Sequence, residues 1–152
     1  MESLKERLTA EIGKLTTGTH FHLMEVKISR ARSFTGLQVF MDRDDGYFSH
    51  EDCRKWSELI MDLVDRKEMI TRDYRLEVSS PGVGRNLQER WEYEKNLEKK
   101  LWVAYINEDN EAAETSGDLV SVTAEGIGLL KGKNTFTIKW AQLQRASVKT
   151  PW

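Results

Sequence analysis

Several groups of residues in this chain have types and spacings that chemistry uses, and each falls short of a full constellation. Gly82-Val83-Gly84 follows an alternating apolar run and precedes a polar segment, as a dinucleotide-binding loop would. The third glycine of that fingerprint should fall at Leu87, and no β-α-β frame follows. No G-x-x-x-x-G-K-[ST] phosphate loop is present, and no G-x-S-x-G surrounds Ser79 or Ser80. Asp42-Arg43-Asp44-Asp45-Gly46 has the acids of a calcium loop but not the spacing. Counted from Asp42, the sharp-turn glycine is Tyr47 and the bidentate glutamate is Cys53. A plain turn is the better reading. His20 and His22 share one strand face, and His50 and Cys53 lie one helical turn apart. These four side chains offer zinc ligands, but no C-x-x-C or H-x-x-x-H frame holds them. Cys53 also falls on an apolar helix face, where it reads as a small buried hydrophobe. The expectation is no catalytic residue, no metal, no cofactor and no enzyme.

The elements around these residues have clear periods. Leu4, Leu8, Ile12 and Leu15 make one helical stripe over about 2–15, with Ser3 as cap and Glu6 placed to complete a capping box. Phe21 to Arg30 reads as a strand in which Met24, Val26 and Ile28 alternate with Glu25, Lys27 and Ser29. Leu37, Val39 and Met41 form a second alternating run. The polar, basic link 29–36 reads as a hairpin loop, and Lys27, Arg30 and Arg32 are candidate contacts to RNA phosphate. Ser49 caps a second helix through Cys53, Trp56, Ile60 and Leu63. In Tyr74–Ser80, Tyr74, Leu76 and Val78 share one strand face and Arg75, Glu77 and Ser79 the other. Pro81-Gly82 then predicts a type II turn, with glycine at its positive-φ position. This helix–strand–strand–helix–strand order predicts a two-layer α+β domain.

Gln88 to Lys99 reads as a short linking helix anchored by Trp91, Tyr93 and Leu97. After it come short β-type runs at 101–106, 119–122, 126–130, 135–138 and 146–148, the pattern of a small closed barrel. The expected organisation is an α+β domain over 1–87, a linking helix over 88–99 and a β-barrel over 100–152.

The run Tyr-x-Leu-Glu-Val-Ser-Ser-Pro-Gly-x-x-Arg-x-Leu, from Tyr74 to Leu87, resembles the signature of the bacterial ribosome maturation factor RimP family. The chain departs from it at Gly84 and Asn86, where the family usually has Asp and Pro. It departs again at Glu98, where the family usually has Gly before the first barrel strand. The resemblance implies a KH-like N-terminal domain and an SH3- or Sm-like C-terminal barrel. It implies binding to the immature small ribosomal subunit, help in its maturation, and contact with the basic ribosomal protein near the decoding centre and locally with rRNA. Glu77, Ser79, Ser80, Pro81, Gly82 and Arg85 are then candidates for ribosome or interdomain contact. The Gly-x-x-Gly loop with which KH domains clamp nucleotides is missing, since Gly82-Val83-Gly84 is too short for it.

Charge refines the partner. A net charge of -2 argues against a general basic nucleic-acid surface. From Leu101 to Leu130 the acids Glu108, Asp109, Glu111, Glu114, Asp118 and Glu125 stand without Lys or Arg. From Lys131 onward the charges are all basic. Cross-strand pairing between these ends is the plain expectation. An acidic lip at Glu108, Asp109, Glu111, Glu114 and Asp118 facing a basic protein is the functional one. No apolar run approaches the ~20 residues that span a membrane, the N-terminus has no apolar signal core, and the single Cys53 fits a reducing compartment. A cytoplasmic protein with no membrane and no small-molecule substrate is expected. The alternatives are a generic RNA-binding module with KH-like and Sm-like parts, and a nucleotide-binding enzyme using the Gly82–Arg85 loop.

Overall fold

The computed structural model describes residues 3–82 and 85–149. The chain divides into two compact units, Met1–Pro81 and Gly82–Trp152. In the first unit the order is α1 (Leu4–Thr16), β1 (Phe21–Arg30), β2 (Thr35–Arg43), α2 (His50–Arg66) and β3 (Tyr74–Ser79). β2 is the central strand, antiparallel to β1 and parallel to β3, with α2 as the crossover. A parallel neighbour requires such a crossover, since a tight hairpin joins only antiparallel strands.

Alternation decides which face the helices cover. Leu37, Val39 and Met41 of β2 are buried with Val26 of β1 and Val78 of β3, against Leu8 and Ile12 of α1 and Trp56, Ile60, Leu63 and Val64 of α2. The other face carries Lys27, Gln38, Arg75 and Glu77, all exposed. A bulge between Leu23 and Glu25 changes the expected alternation of β1. The register slips by one residue at Met24, so Phe21 and Leu23 also pack on the core instead of facing away from Val26.

The helix starts differ from each other. At α2 the Ser49 hydroxyl accepts from the Asp52 N–H at 3.1 Å and the Asp52 carboxylate accepts from the Ser49 N–H at 2.9 Å. At α1 the Ser3 hydroxyl accepts from the Glu6 N–H at 3.1 Å, but the Glu6 carboxylate bonds the Ser3 hydroxyl rather than its backbone, so the expected box is half formed.

The second unit holds α3 (Arg90–Lys95), shorter than the expected linking helix, then β4 (Lys100–Ile106), β5 (Ala112–Val122), β6 (Gly126–Lys131), β7 (Asn134–Lys139) and β8 (Leu143–Val148). The antiparallel order is β7-β6-β5-β4-β8, which brings the last strand beside the first. β5 is much longer than the expected 119–122 run. Pairing with β4, Ala104 opposite Glu114 for example, extends the strand over residues of weak β propensity. The core is Leu101, Val103, Leu119, Ile127, Leu129, Ile138 and Ala146, closed by Tyr93 of α3. Tyr93 meets Trp140 edge-on at 5.2 Å. Gly126 is required where β6 meets β7, because a Cβ there would collide with the Ile138 carbonyl oxygen.

Candidate nucleic-acid interface

The β1–β2 hairpin is tighter than the sequence suggests. Arg30 and Thr35 are strand residues that pair with each other, and the loop is only Ala31–Phe34. Antiparallel pairing continues to the end because the Ala31 N–H donates to the Phe34 carbonyl at 3.0 Å. Lys27, Arg30 and Arg32 are all exposed on or beside this hairpin.

Two further cations join them. Parallel pairing sets Tyr74 beside Thr35 and Arg75 beside Gly36, and the Thr35 N–H donates to the Asp73 carbonyl at 2.9 Å. The start of β3 therefore lies against the hairpin base. Arg72 donates from one guanidinium nitrogen to the carbonyls of Ala31 and Arg32, both at 2.8 Å, and so pins the loop. Arg75 lies over the Phe34 ring at 4.0 Å, and the Lys27 ammonium lies 5.6 Å from the centroid of Phe40. Among the described residues none of Lys27, Arg30, Arg32, Arg72 and Arg75 has a carboxylate partner. An anionic backbone meeting this end of the sheet would find cations with no competing carboxylate among the described residues. Alternation alone already placed Arg75 on the open face. Its meeting with the hairpin, and that of Arg72, required the long-range parallel pairing.

Other candidates fall elsewhere. Glu77 is exposed on the open face of β3, and Ser79 is half-buried opposite Phe40. Ser80 and Gly82 are exposed and Pro81 is half-buried. Gly82 does not take a positive φ, so the expected type II turn at Pro81-Gly82 does not form. Val83 and Gly84 lie outside the described residues, and with them the centre of the Gly82–Arg85 loop. Arg85 is half-buried within the second unit, beside Asn86, which bridges to Ser147 of β8.

Glu108, Asp109 and Glu111 cluster in the turn between β4 and β5, where the Asn107 side chain accepts from the Asp109 and Glu111 N–H groups at 2.9 and 3.0 Å. Glu114 and Asp118 lie on β5 itself. The expected pairing of this acidic stretch with the basic C-terminal strands does not occur among the described residues. The register explains this: Glu114 stands opposite Ala104, and Asp118 opposite Leu130 and Lys100 without reaching the ammonium. Glu114 and Arg145 line a surface groove together with Ala104 and Ala112.

The histidines also gather differently from the zinc reading. His20 Nδ1 and His22 Nε2 lie 2.8 and 2.7 Å from the two oxygens of Asp44. His22 first, and then His20, hold the Asp44 carboxyl below its usual range against desolvation. His20, Asp44 and Asp45 have ligand atoms within 4.8 Å of one another, the spacing a cation would need, among the described residues. Arg43, however, already grips Asp45 at 2.7 and 3.1 Å and reaches Asp52 at 3.1 Å. Cys53 instead packs against the core, where burial pushes its thiol pKa up, the opposite of an activated nucleophile. Asp44, Asp45 and Gly46 form a turn.

Residues 11–84 match the family model described as the RimP N-terminal domain, which spans most of the first unit, the basic hairpin and most of the Tyr74–Leu87 run. That match identifies residues 11–84 as a RimP N-terminal domain and supports the RimP family, which implies a ribosome maturation role.

Proposed function

We propose that the protein binds the immature small ribosomal subunit and assists its maturation without catalysing a reaction. The observation that carries this reading is the group of cations without carboxylate partners, among the described residues, at the hairpin end of a family-matched unit, in a chain whose net charge is -2. Lys27, Arg30 and Arg32, joined by Arg72 and Arg75, contact rRNA phosphate locally. The acidic turn at Glu108, Asp109 and Glu111, with Glu114 and Asp118, receives the basic ribosomal protein near the decoding centre. Its carboxylates form no ion pair among the described residues, which favours fast, salt-sensitive docking. Glu77, Ser79, Ser80, Pro81, Gly82 and Arg85 are the further candidates for ribosome contact.

In this reading the first unit is KH-like and the second is an SH3- or Sm-like barrel. The helix–strand–strand–helix–strand order and the pairing of β8 with β4 support those names. The site of action is the cytoplasm, and no small molecule or membrane takes part. No helix among the described residues is long and apolar enough to cross a membrane.

The test is co-sedimentation of the purified protein with small subunits, large subunits and complete ribosomes at low and moderate salt. Selective pelleting with free small subunits supports the reading. Equal pelleting with every particle, lost on adding salt, leaves a generic RNA binder in its place.

A further inference from the structure

We propose that the open face of the β1–β3 sheet is a stacking platform for unpaired bases of single-stranded RNA. This deepens the reading above and relies on it for the source of that RNA. Gly36, Gln38 and Phe40 form one line along the central strand, on the side away from the core, and Phe34 precedes them in the hairpin loop with Arg75 over its ring. Their alternates Thr35, Leu37, Val39 and Met41 are 1%, 1%, 1% and 0% exposed. Phe34 and Phe40, at the two ends of this line, are half-buried and lie outside the core cluster of the unit.

Each ring has a cation against it, Arg75 at Phe34 and Lys27 at Phe40. Between the rings lie Gly36 and the exposed Gln38. Gly36 has no side chain, and a Cβ there would strike the Ser29 hydroxyl across the strand pair. From Phe34 to Phe40 the chain spans at most ~20 Å, room for the two or three bases that a sheet platform takes in RNA-binding modules.

Charge complementarity selects the occupant. Lys27, Arg30, Arg32, Arg72 and Arg75 line the hairpin side and have no carboxylate partner among the described residues. Phosphates of a single strand run along them while the bases lie on the rings. In the middle row, Lys27, Gln38 and Glu77 stand side by side across the three strands. Gln38 and Glu77 face base edges there. A carboxylate accepts from the amino group of cytosine and repels the carbonyl that uracil presents at the same place. A duplex hides its base faces and offers this surface only phosphate. An acidic peptide would use the cations and leave the rings unused.

The experiment is fluorescence anisotropy of the full chain with labelled oligocytidylate and oligouridylate of about eight nucleotides, and with an RNA duplex of equal phosphate number. The salt dependence of each is recorded. Oligocytidylate is expected to bind more tightly than oligouridylate and far more tightly than the duplex. Phe34→Leu and Phe40→Leu keep apolar bulk but lose the ring. Each is expected to weaken binding about 5- to 150-fold, with the salt slope unchanged. Lys27→Gln should instead lower the slope by about 0.7. Melting curves check folding, and Phe40→Tyr, which keeps the ring, should bind as the parent does. Equal binding of duplex and single strand, leucine variants that bind normally, or equal competition by a polyglutamate peptide would each overturn the platform. Particle pelleting is read separately. Pelleting without oligonucleotide binding removes the platform and leaves the maturation role, whereas oligonucleotide binding without pelleting does the reverse.

Discussion

Glu98→Gly should stabilise the second unit. Glu98 sits just before β4 with φ 75, the left-handed region that a Cβ disfavours. It is held there by the β5 backbone: the Glu98 N–H donates to the Leu119 carbonyl at 2.7 Å, and the Leu119 N–H donates to the Lys99 carbonyl at 2.9 Å. The side chain is exposed and forms no ion pair among the described residues, so little is lost with it. Relief of the Cβ clash is worth roughly 1–2 kcal/mol. The greater freedom of glycine in the unfolded chain takes back about 0.5–1 kcal/mol. The net is about 0.5–1 kcal/mol, or roughly 2–8 °C in melting temperature for a unit of this size. Urea unfolding followed by tryptophan fluorescence should show a higher midpoint at unchanged slope. Glu98→Ala is the control, because it removes the charge but keeps the Cβ. No gain with glycine, or an equal gain with alanine, would refute the backbone argument.

Other outcomes follow from the same contacts. Arg72→Ala removes two exposed hydrogen bonds from the hairpin loop, together about 1–2 kcal/mol, so amide exchange at Ala31 should speed up roughly 5- to 30-fold. Gly126→Ala should cost about 1–3 kcal/mol in urea unfolding, because the new Cβ would also come within 2.8 Å of the Lys139 Cα. Acid should destabilise the first unit. Asp52 is held below its usual range chiefly by the Ser49 N–H and also by Arg43, and Asp44 by His22. Carboxyls depressed in the folded state contribute stability above their unfolded pKa of about 3.9 and lose it as pH falls through the folded values. The urea midpoint should therefore fall below about pH 4, and less steeply in Asp52→Asn. Cys53 should react with iodoacetamide far more slowly in the folded protein than in urea, since burial raises its thiol pKa.

Local pattern carried the first unit a long way. The face assignment in Tyr74–Ser79 needs only a period of two, and the α1 and α2 stripes only a period near four, so each was legible in the chain. Glu98 was legible as an odd residue at a glycine position, and its φ supplies the physical reason. What failed was what depends on a partner strand. The slip at Met24 is defined by the register against β2, and nothing in Leu23-Met24-Glu25 announces it. Ala112–Asp118 reads as a polar loop and becomes strand because β4 supplies its hydrogen bonds. The basic site was half legible. Lys27, Arg30 and Arg32 are near in sequence, but Arg72 and Arg75 arrive only by parallel pairing of β3. Gly82 misled because Pro-Gly fixes what a turn would look like, not that one forms there.

The central claim is preference for an unfinished small subunit. It is tested most directly by equilibrium binding of labelled protein to immature and mature small subunits, each with large subunits as competitor. The account predicts tighter binding to the immature particle, resistance to large-subunit competition, and weakening in an Arg30→Gln, Arg32→Gln variant. Equal affinity for both particles, or indifference to that variant, would contradict it.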